Sequence, residues 1–182
     1  MILTYTEHGY EEALLGLMLS YRKSGGEQFD LNKAARVAAS LAFRGHGHNK
    51  FLRQICVWMT IKAPVSWWYH FDTYKIGITT QSESTMHTLR ARSRGGLNGE
   101  SFTSSVSPSV IETYNSAIPE DADIDTLRDN LPMGFEMTRM VSGNYANLRE
   151  IVRQRKSHKS HHWKQFIDEL QTLIKHPEYV IK

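Results

Sequence analysis

His46 and His48 flank a glycine, His70 and Tyr74 stand four residues apart, and residues 79–87 (TTQSESTMH) crowd hydroxyls, an amide and a carboxylate together. Imidazole and phenol groups can move protons or hydrogen-bond a ring. The serine/threonine-rich stretch offers many small donors and acceptors to a polar ligand, although the ordinary reading of such a stretch is a solvated loop. Asn144, Leu148, Ile151 and Arg155 fall at i, i+4, i+7 and i+11, which puts an amide and a guanidinium on the apolar stripe of a helix. An inward arginine needs a partner, because an unpaired buried charge is costly. That partner is either a protein carboxylate or a ligand anion gripped by the guanidinium fork.

Residues 153–164 (RQRKSHKSHHWK) hold five bases, three histidines and no acid. A solvated helix face and a phosphate or nucleic-acid patch both fit this run. Trp163 is the single aromatic in it for base stacking. His158 and His162 have i,i+4 spacing but no nearby carboxylate or cysteine to complete a metal shell, so no metal site is expected.

The elements that must position these groups can be read from periodicity. Residues 2–6 form a strand. Residues 10–23 form a helix with Ala13, Leu14, Leu17, Met18 and Tyr21 at helical spacing, stopped by Ser24, Gly25 and Gly26. Asp30 caps a second helix over residues 31–43. Residues 51–62 alternate as a strand with Phe51, Ile55, Val57, Met59 and Ile61 on one face and Arg53 as its polar member. Pro64 starts a helix over residues 65–75, buried through Trp67, Trp68 and Phe71 and ended by Gly77; His70 and Tyr74 then share one of its faces. Residues 92–107 are Gly/Ser-rich and read as a flexible loop without a Walker-type pattern. Helices follow over residues 108–118 and about 121–130, the second packing through Ile124, Leu127 and Leu131. After an extended stretch at 135–141, Ser142 caps a helix running to about Lys156. A last helix over residues 159–175 packs through Phe166, Leu170, Leu173 and Ile174.

At 182 residues, 40% hydrophobic and 23% charged, one domain with its own core is the expectation. The net charge of +3 argues for no particular partner class. Cys56 stands without a second cysteine, which excludes an internal disulfide and a thiolate zinc cage and suits a reducing cytoplasmic compartment. The opening MILTYTEHG does not read as a signal peptide, and no apolar run is long enough for a membrane span.

Taken in order, HGH, a strand, KAP, an aromatic helix, a Ser/Thr loop, Arg-x-x-Leu-Pro, and Asn-x-x-x-Leu with an arginine seven residues on, the chain resembles the flavin-dependent thymidylate synthases over roughly residues 30–176. The resemblance implies an α+β fold, with a central antiparallel or mixed sheet packed by helices and a helical C-terminal portion. It also implies a homotetramer, an FAD cofactor, methylenetetrahydrofolate and NADPH as co-substrates, and one-carbon transfer to C5 of the uracil ring of dUMP. On the nucleotide side it implies Ser84 for the phosphate, Arg128 as a nucleotide-binding arginine, Arg155 for the ring, and His70 where the family has a glutamine. On the flavin side it implies His48 and Asn144. The chain also departs from the family pattern. The Arg-His-Arg signature and its serine are Thr73, Tyr74, Lys75 and Thr79, and a Thr and a Glu that seat the flavin are Lys50 and Arg53. Nucleotide-side residues are better kept than flavin-side ones. An enzyme on a pyrimidine deoxynucleotide would use Arg155, His70 and Tyr74 for chemistry and Lys75 for phosphate, with any flavin re-posed on Lys50, Arg53, Lys75 and Thr79. Two other expectations compete: a nucleotide binder that has lost the chemistry, and a nucleic-acid binder working through the basic C-terminal run.

Overall fold

A computed structural model describes residues 1–21, 28–93, 96–119 and 121–182. Along them run β1 (Ile2–His8), α1 (Tyr10–Leu19), α2 (Leu31–Leu41), a 3-10 turn (Lys50–Arg53), β2 (Cys56–Pro64), α3 (Val65–Phe71), β3 (Thr79–Ser82) and α4 (Thr85–Ser93). After a second 3-10 turn (Gly99–Ser101) come α5 (Pro108–Ala117), α6 (Ile124–Asp129), β4 (Glu136–Asn144), α7 (Tyr145–Arg155), α8 (His161–Leu173) and a last 3-10 turn (Pro177–Tyr179). The fold is α+β, with a central antiparallel sheet in the order β1-β2-β4-β3 packed by helices. Among the described residues no helix is long and apolar enough to cross a membrane. The expected helix end at residues 22–23 and its Ser-Gly-Gly stop lie outside the described residues. The chain divides into two compact units, one of Met1–Thr60, Tyr74–Thr80 and Val141–Lys182, the other of Ile61–Thr73 and Gln81–Met140.

In the first unit, α1 starts at Gly9, whose φ of +87° few other residues adopt; a Cβ there would stand 2.5 Å from the Gln54 carbonyl oxygen. The helix packs on α2 through faces that bury Ala13 and Leu14 on one side and Ala34, Ala38 and Leu41 on the other. Asp30 caps α2 as expected, accepting from the Lys33 N–H at 3.1 Å. The strand expected from residue 51 starts at Cys56. Phe51 and Leu52 are adjacent and both buried, which a strand face cannot do and a tight turn can. The Gln54 N–H donates to Phe51 O at 3.0 Å and closes that turn, leaving Arg53 exposed. The helix expected from Ser142 is capped instead by Asn144, whose side chain accepts from the Asn147 N–H at 3.1 Å while Asn147 Oδ1 takes the Asn144 N–H at 3.2 Å. On α8, Trp163, Phe166, Ile167 and Leu170 are buried, whereas Leu173, expected inward, is exposed.

A buried carboxylate pins β1 to this unit. Glu7 is 7% exposed. Its Oε2 accepts from Tyr5 Oη at 2.6 Å, Tyr145 Oη at 2.8 Å and the Lys175 N–H at 3.3 Å. Burial, then the adjacent carboxylate, pushes the Tyr5 and Tyr145 hydroxyls well above the usual phenol range, so both stay donors.

The second unit is built on Leu89, Leu97, Phe102, Tyr114, Leu127 and Phe135, with Ile124 and Leu131 of the α6 region packed against them as expected. Of residues 92–107, read as a flexible loop, 94–95 lie outside the described residues and 92–93 belong to α4; Leu97, Ser101 and Phe102 are buried, and Phe102 bridges antiparallel to Phe135. Trp67, Trp68 and Phe71 bury α3, and Trp68 Nε1 donates to Met137 O at 3.1 Å. The helix stops at Phe71, not at residue 75, with Asp72 as its C-cap. Arg139 Nη1 lies 2.8 Å from Asp72 Oδ1, and its guanidinium stands 4.4 Å from the Trp68 ring. Residues 79–87, expected as a loop, are instead β3 and the start of α4. All four β3 residues are exposed, so this polar edge strand has no apolar alternation to announce it.

Glu7→Ala removes the shared acceptor of the buried Tyr145 hydroxyl, the half-buried Tyr5 hydroxyl and the Lys175 N–H, and is expected to lower unfolding stability by about 2–4 kcal/mol in urea titration. A change below about 0.5 kcal/mol would show that the carboxylate contributes nothing net.

Candidate functional site

Helix α7 begins at the Asn144 cap and carries Leu148 and Ile151 inward, so Arg155 emerges at its last turn on the same side. Two clamps hold residues 74–77 along this helix. Near its start, Asn147 Nδ2 donates to Ile76 O at 2.8 Å. Gly77 makes room for that amide at φ +74°, where a Cβ would come within 3.2 Å of it. Two turns later, Arg155 Nε donates to Tyr74 Oη at 2.8 Å, and Tyr74 Oη donates to Gln154 Oε1 at 3.1 Å.

The Arg155 guanidinium lies 5.5 Å from the Tyr74 ring and 4.9 Å from the Trp163 ring, and those two rings meet edge to face at 6.2 Å. Aromatic faces attract the cation electrostatically. Its partners are therefore neither the protein carboxylate nor the anion that the helical stripe left open. Among the described residues no carboxylate pairs with Arg155, and its Nη1 and Nη2 have no protein acceptor. The result is a guanidinium fixed through Nε and its π face, with its terminal fork unused. Trp163 is wholly buried, so it is a shelf for Arg155 and offers no exposed ring for base stacking. Sequence reading missed Trp163 and Gln154 in this role. A break at residues 156–160 separates α7 from α8, so no helical spacing links Arg155 to Trp163.

Tyr74 and His70 were expected on one helix face, but the end of α3 at Phe71 removes that relation. His70 sits exposed on the last turn of α3, and its carbonyl accepts from Thr73 Oγ1 at 2.8 Å. Lys75 and Thr79 are exposed.

In the second unit, Ser84 stands immediately before α4, and its carbonyl accepts the N–H groups of His87 and Thr88 at 3.1 and 2.9 Å. This is the cap position of α4, and a helix start favours an anion. Helix α6 packs on α4, and Arg128 Nη1 touches Met86 Sδ in the first turn of α4 at 3.5 Å. Arg128 has a loose 3.9 Å pairing with Asp125 and is 46% exposed. Ser84 and Arg128 are thus brought to one helix start.

His46, His48 and Lys50 line a cavity of about 600 Å³ beside the end of α1. Arg53, Thr79 and Asn144 do not line it. The Asn144 side chain is engaged as the α7 cap. Among the described residues no group of three or more His, Cys, Asp or Glu side chains is placed to hold a metal ion.

No family model matches the sequence, and no curated protein matches it. Solved structures do match. A flavin-dependent thymidylate synthase from Helicobacter pylori, crystallised with FAD and dUMP, superposes with a TM-score of 0.79 at 15% identity, over 100% of this chain and 97% of that one. A second structure of that enzyme with FAD and dUMP gives 0.77 at 15% identity, over 100% and 96%. The chain has the fold of the flavin-dependent thymidylate synthases.

The chain from Tyr74 outward ends in a titratable group. Gln154 Nε2 and Arg153 both donate to the Glu150 carboxylate. The Arg153 hydrogen bond, above all, holds the Glu150 carboxyl below the usual range, with smaller contributions from Gln154 and Arg149. A carboxyl whose folded pKa is depressed stabilises fully above its unfolded value, and that contribution is lost as pH falls through the folded value. Glu150→Gln is therefore expected to make the acid limb of a Tm-against-pH curve shallower; an acid limb of unchanged steepness would contradict this linkage.

Proposed function

We propose that this protein binds a pyrimidine deoxynucleotide of the dUMP type and transfers a one-carbon unit to C5 of its ring. The observation that carries the reading is the Arg155 guanidinium, fixed by Tyr74 and Trp163 with its terminal fork unused, in a chain that matches a dUMP-bound enzyme over its full length. A positioned guanidinium offers bidentate donors to a ring carbonyl and stabilises negative charge as it develops there. Ser84 and Arg128 at the start of α4 suit the phosphate. His70 would hydrogen-bond base or sugar, Lys75 would add charge for the phosphate, and the homotetramer the resemblance implies is part of the reading.

The residues present do not fit a flavin dinucleotide within one chain. The His46–His48–Lys50 cavity offers a single cation where a pyrophosphate carries two charges, and the Asn144 amide is used by α7. The reading therefore rests on what the chain's own groups do to the nucleotide, with methylenetetrahydrofolate as the one-carbon donor and a hydroxymethyl product that needs no hydride: the C5–carbon bond forms, the C5 proton leaves, tetrahydrofolate departs and water adds to the exocyclic carbon.

A second reading, nucleotide binding without turnover, is favoured by Tyr74. Its hydroxyl accepts from Arg155 and donates to Gln154, a positioning role for the guanidinium that a binder needs as much as an enzyme does. The two readings agree on affinity and differ on product.

In calorimetric titration with dUMP, Arg155→Ala is expected to weaken binding by about 1.5–3 kcal/mol, the range for a hydrogen bond to a charged group. Unchanged affinity with an unchanged circular dichroism spectrum would overturn both readings. Labelled carbon appearing on the uracil ring from a methylene donor would select the enzyme. Tight binding with no label transferred would select the binder.

A further inference from the structure

The first unit holds a second cavity, of about 270 Å³, that the nucleotide reading does not use. Arg149, Arg153, Lys156 and Lys182 line it, with Glu150 and the ring of Phe43. Four cationic side chains thus face one carboxylate. Glu150 is already bonded to Arg153 and Gln154. Among the described residues, Arg149, Lys156 and Lys182 have no ion pair with a carboxylate.

Arg149 is the informative member. Its Nη1 donates to Ala42 O, and its guanidinium lies 5.9 Å from the Phe43 ring. Its Nε and Nη2 have no protein acceptor among the described residues. Burial lowers its pKa, and the neighbouring Glu150 carboxylate offsets only part of that shift. The Lys182 ammonium approaches the same ring, at 5.5 Å.

Basic residues in the last turn of a helix complement its dipole, and this accounts for Arg153 and Lys156. It accounts for neither Arg149, in the middle turn of α7, nor Lys182, which is not on the helix. Arg149 and Lys156 from α7 and its cap, and Lys182 from the C-terminal stretch, bring three cations to one hollow whose carboxylate, Glu150, is already bonded to Arg153, and their mutual repulsion favours an added anion. The volume is small beside cavities that enclose whole cofactors, and it suits a compact, multiply charged ligand.

We propose that this cavity binds a compact polyphosphate: an inorganic oligophosphate or the phosphate tail of a small molecule. Arg149 would provide the directional donors, and Lys156 and Lys182 would close over the ligand from the exposed side. The proposal is independent of the nucleotide reading, since neither Arg155, Ser84 nor Arg128 lines this cavity.

The test is calorimetric titration of inorganic triphosphate into the full chain, with dUMP present in excess and ionic strength fixed. The wild type is compared with Lys156→Glu/Lys182→Glu, two exposed positions. The expected result is saturable binding at one site per chain, weakened about tenfold or more in the variant. Should the double reversal disturb the fold by circular dichroism, Lys156→Gln/Lys182→Gln is used, with a smaller loss expected. No saturable binding, or equal binding in wild type and folded variant, overturns the proposal. A nucleoside triphosphate that binds more tightly than inorganic triphosphate assigns the site to a small-molecule tail, and equal affinity assigns it to the phosphates alone. A single-stranded oligonucleotide that displaces triphosphate, binds more tightly and loses affinity steeply with salt would make this face a nucleic-acid interface and overturn the proposal.

Discussion

A guanidinium on the inward stripe of a helix has to be given partners, and in this chain Arg155 is given two aromatic rings and a phenol oxygen in place of a carboxylate. A carboxylate would have neutralised the charge and occupied the fork. The rings attract the cation without accepting its hydrogen bonds, and Tyr74 accepts only the Nε proton. The arrangement fixes the position of the charge and keeps its terminal donors for something else. It depends on residues 74–77 lying along α7, which the Asn147 amide and Gly77 secure at one end and Gln154 secures at the other.

Much of the frame was legible in the sequence because it rests on local rules. Asp30 caps α2, Pro64 precedes α3, and α6 buries Leu127 with Ile124 and Leu131 beside it, all as spacing and capping chemistry dictate. The failures fall at boundaries that composition and spacing do not mark. α3 ends at Phe71, where the capping residue Asp72 pairs through its side chain with Arg139. Asn144, the last residue of β4, displaces Ser142 as the α7 cap because it forms the reciprocal capping box with Asn147. Phe51 and Leu52 looked like the start of an alternating strand, although both are buried side by side in a turn. The polar edge strand at Thr79–Ser82 had no pattern to read, because none of its residues is buried.

The candidate site was legible to a different degree in its two parts. The Ser84 and Arg128 positions follow from motif order, and α4 and α6 bring them to one helix start. Arg155 was singled out by its place on an apolar stripe, but its actual partners were not, since Trp163 lies on another helix beyond a break. The same distinction governs the basic C-terminal run. Read as a line of charge, it suggested a nucleic-acid patch. Folded, it divides: Arg153 pairs with Glu150, Arg155 turns to the aromatic shelf, Lys156 faces a separate cavity, and Trp163 is buried.

The central claim is that the Arg155 Nε is committed to Tyr74 while its terminal nitrogens await a ligand. Guanidinium nitrogen NMR of the labelled protein tests it most directly, with Arg155 assigned by its loss in Arg155→Lys and dUMP added stepwise. The account predicts a slowly exchanging Nε–H signal in the free protein that barely moves, and Nη–H signals that shift and sharpen as nucleotide binds. Nη signals indifferent to saturating dUMP, or an Nε–H that exchanges as fast as that of an exposed arginine, would contradict it.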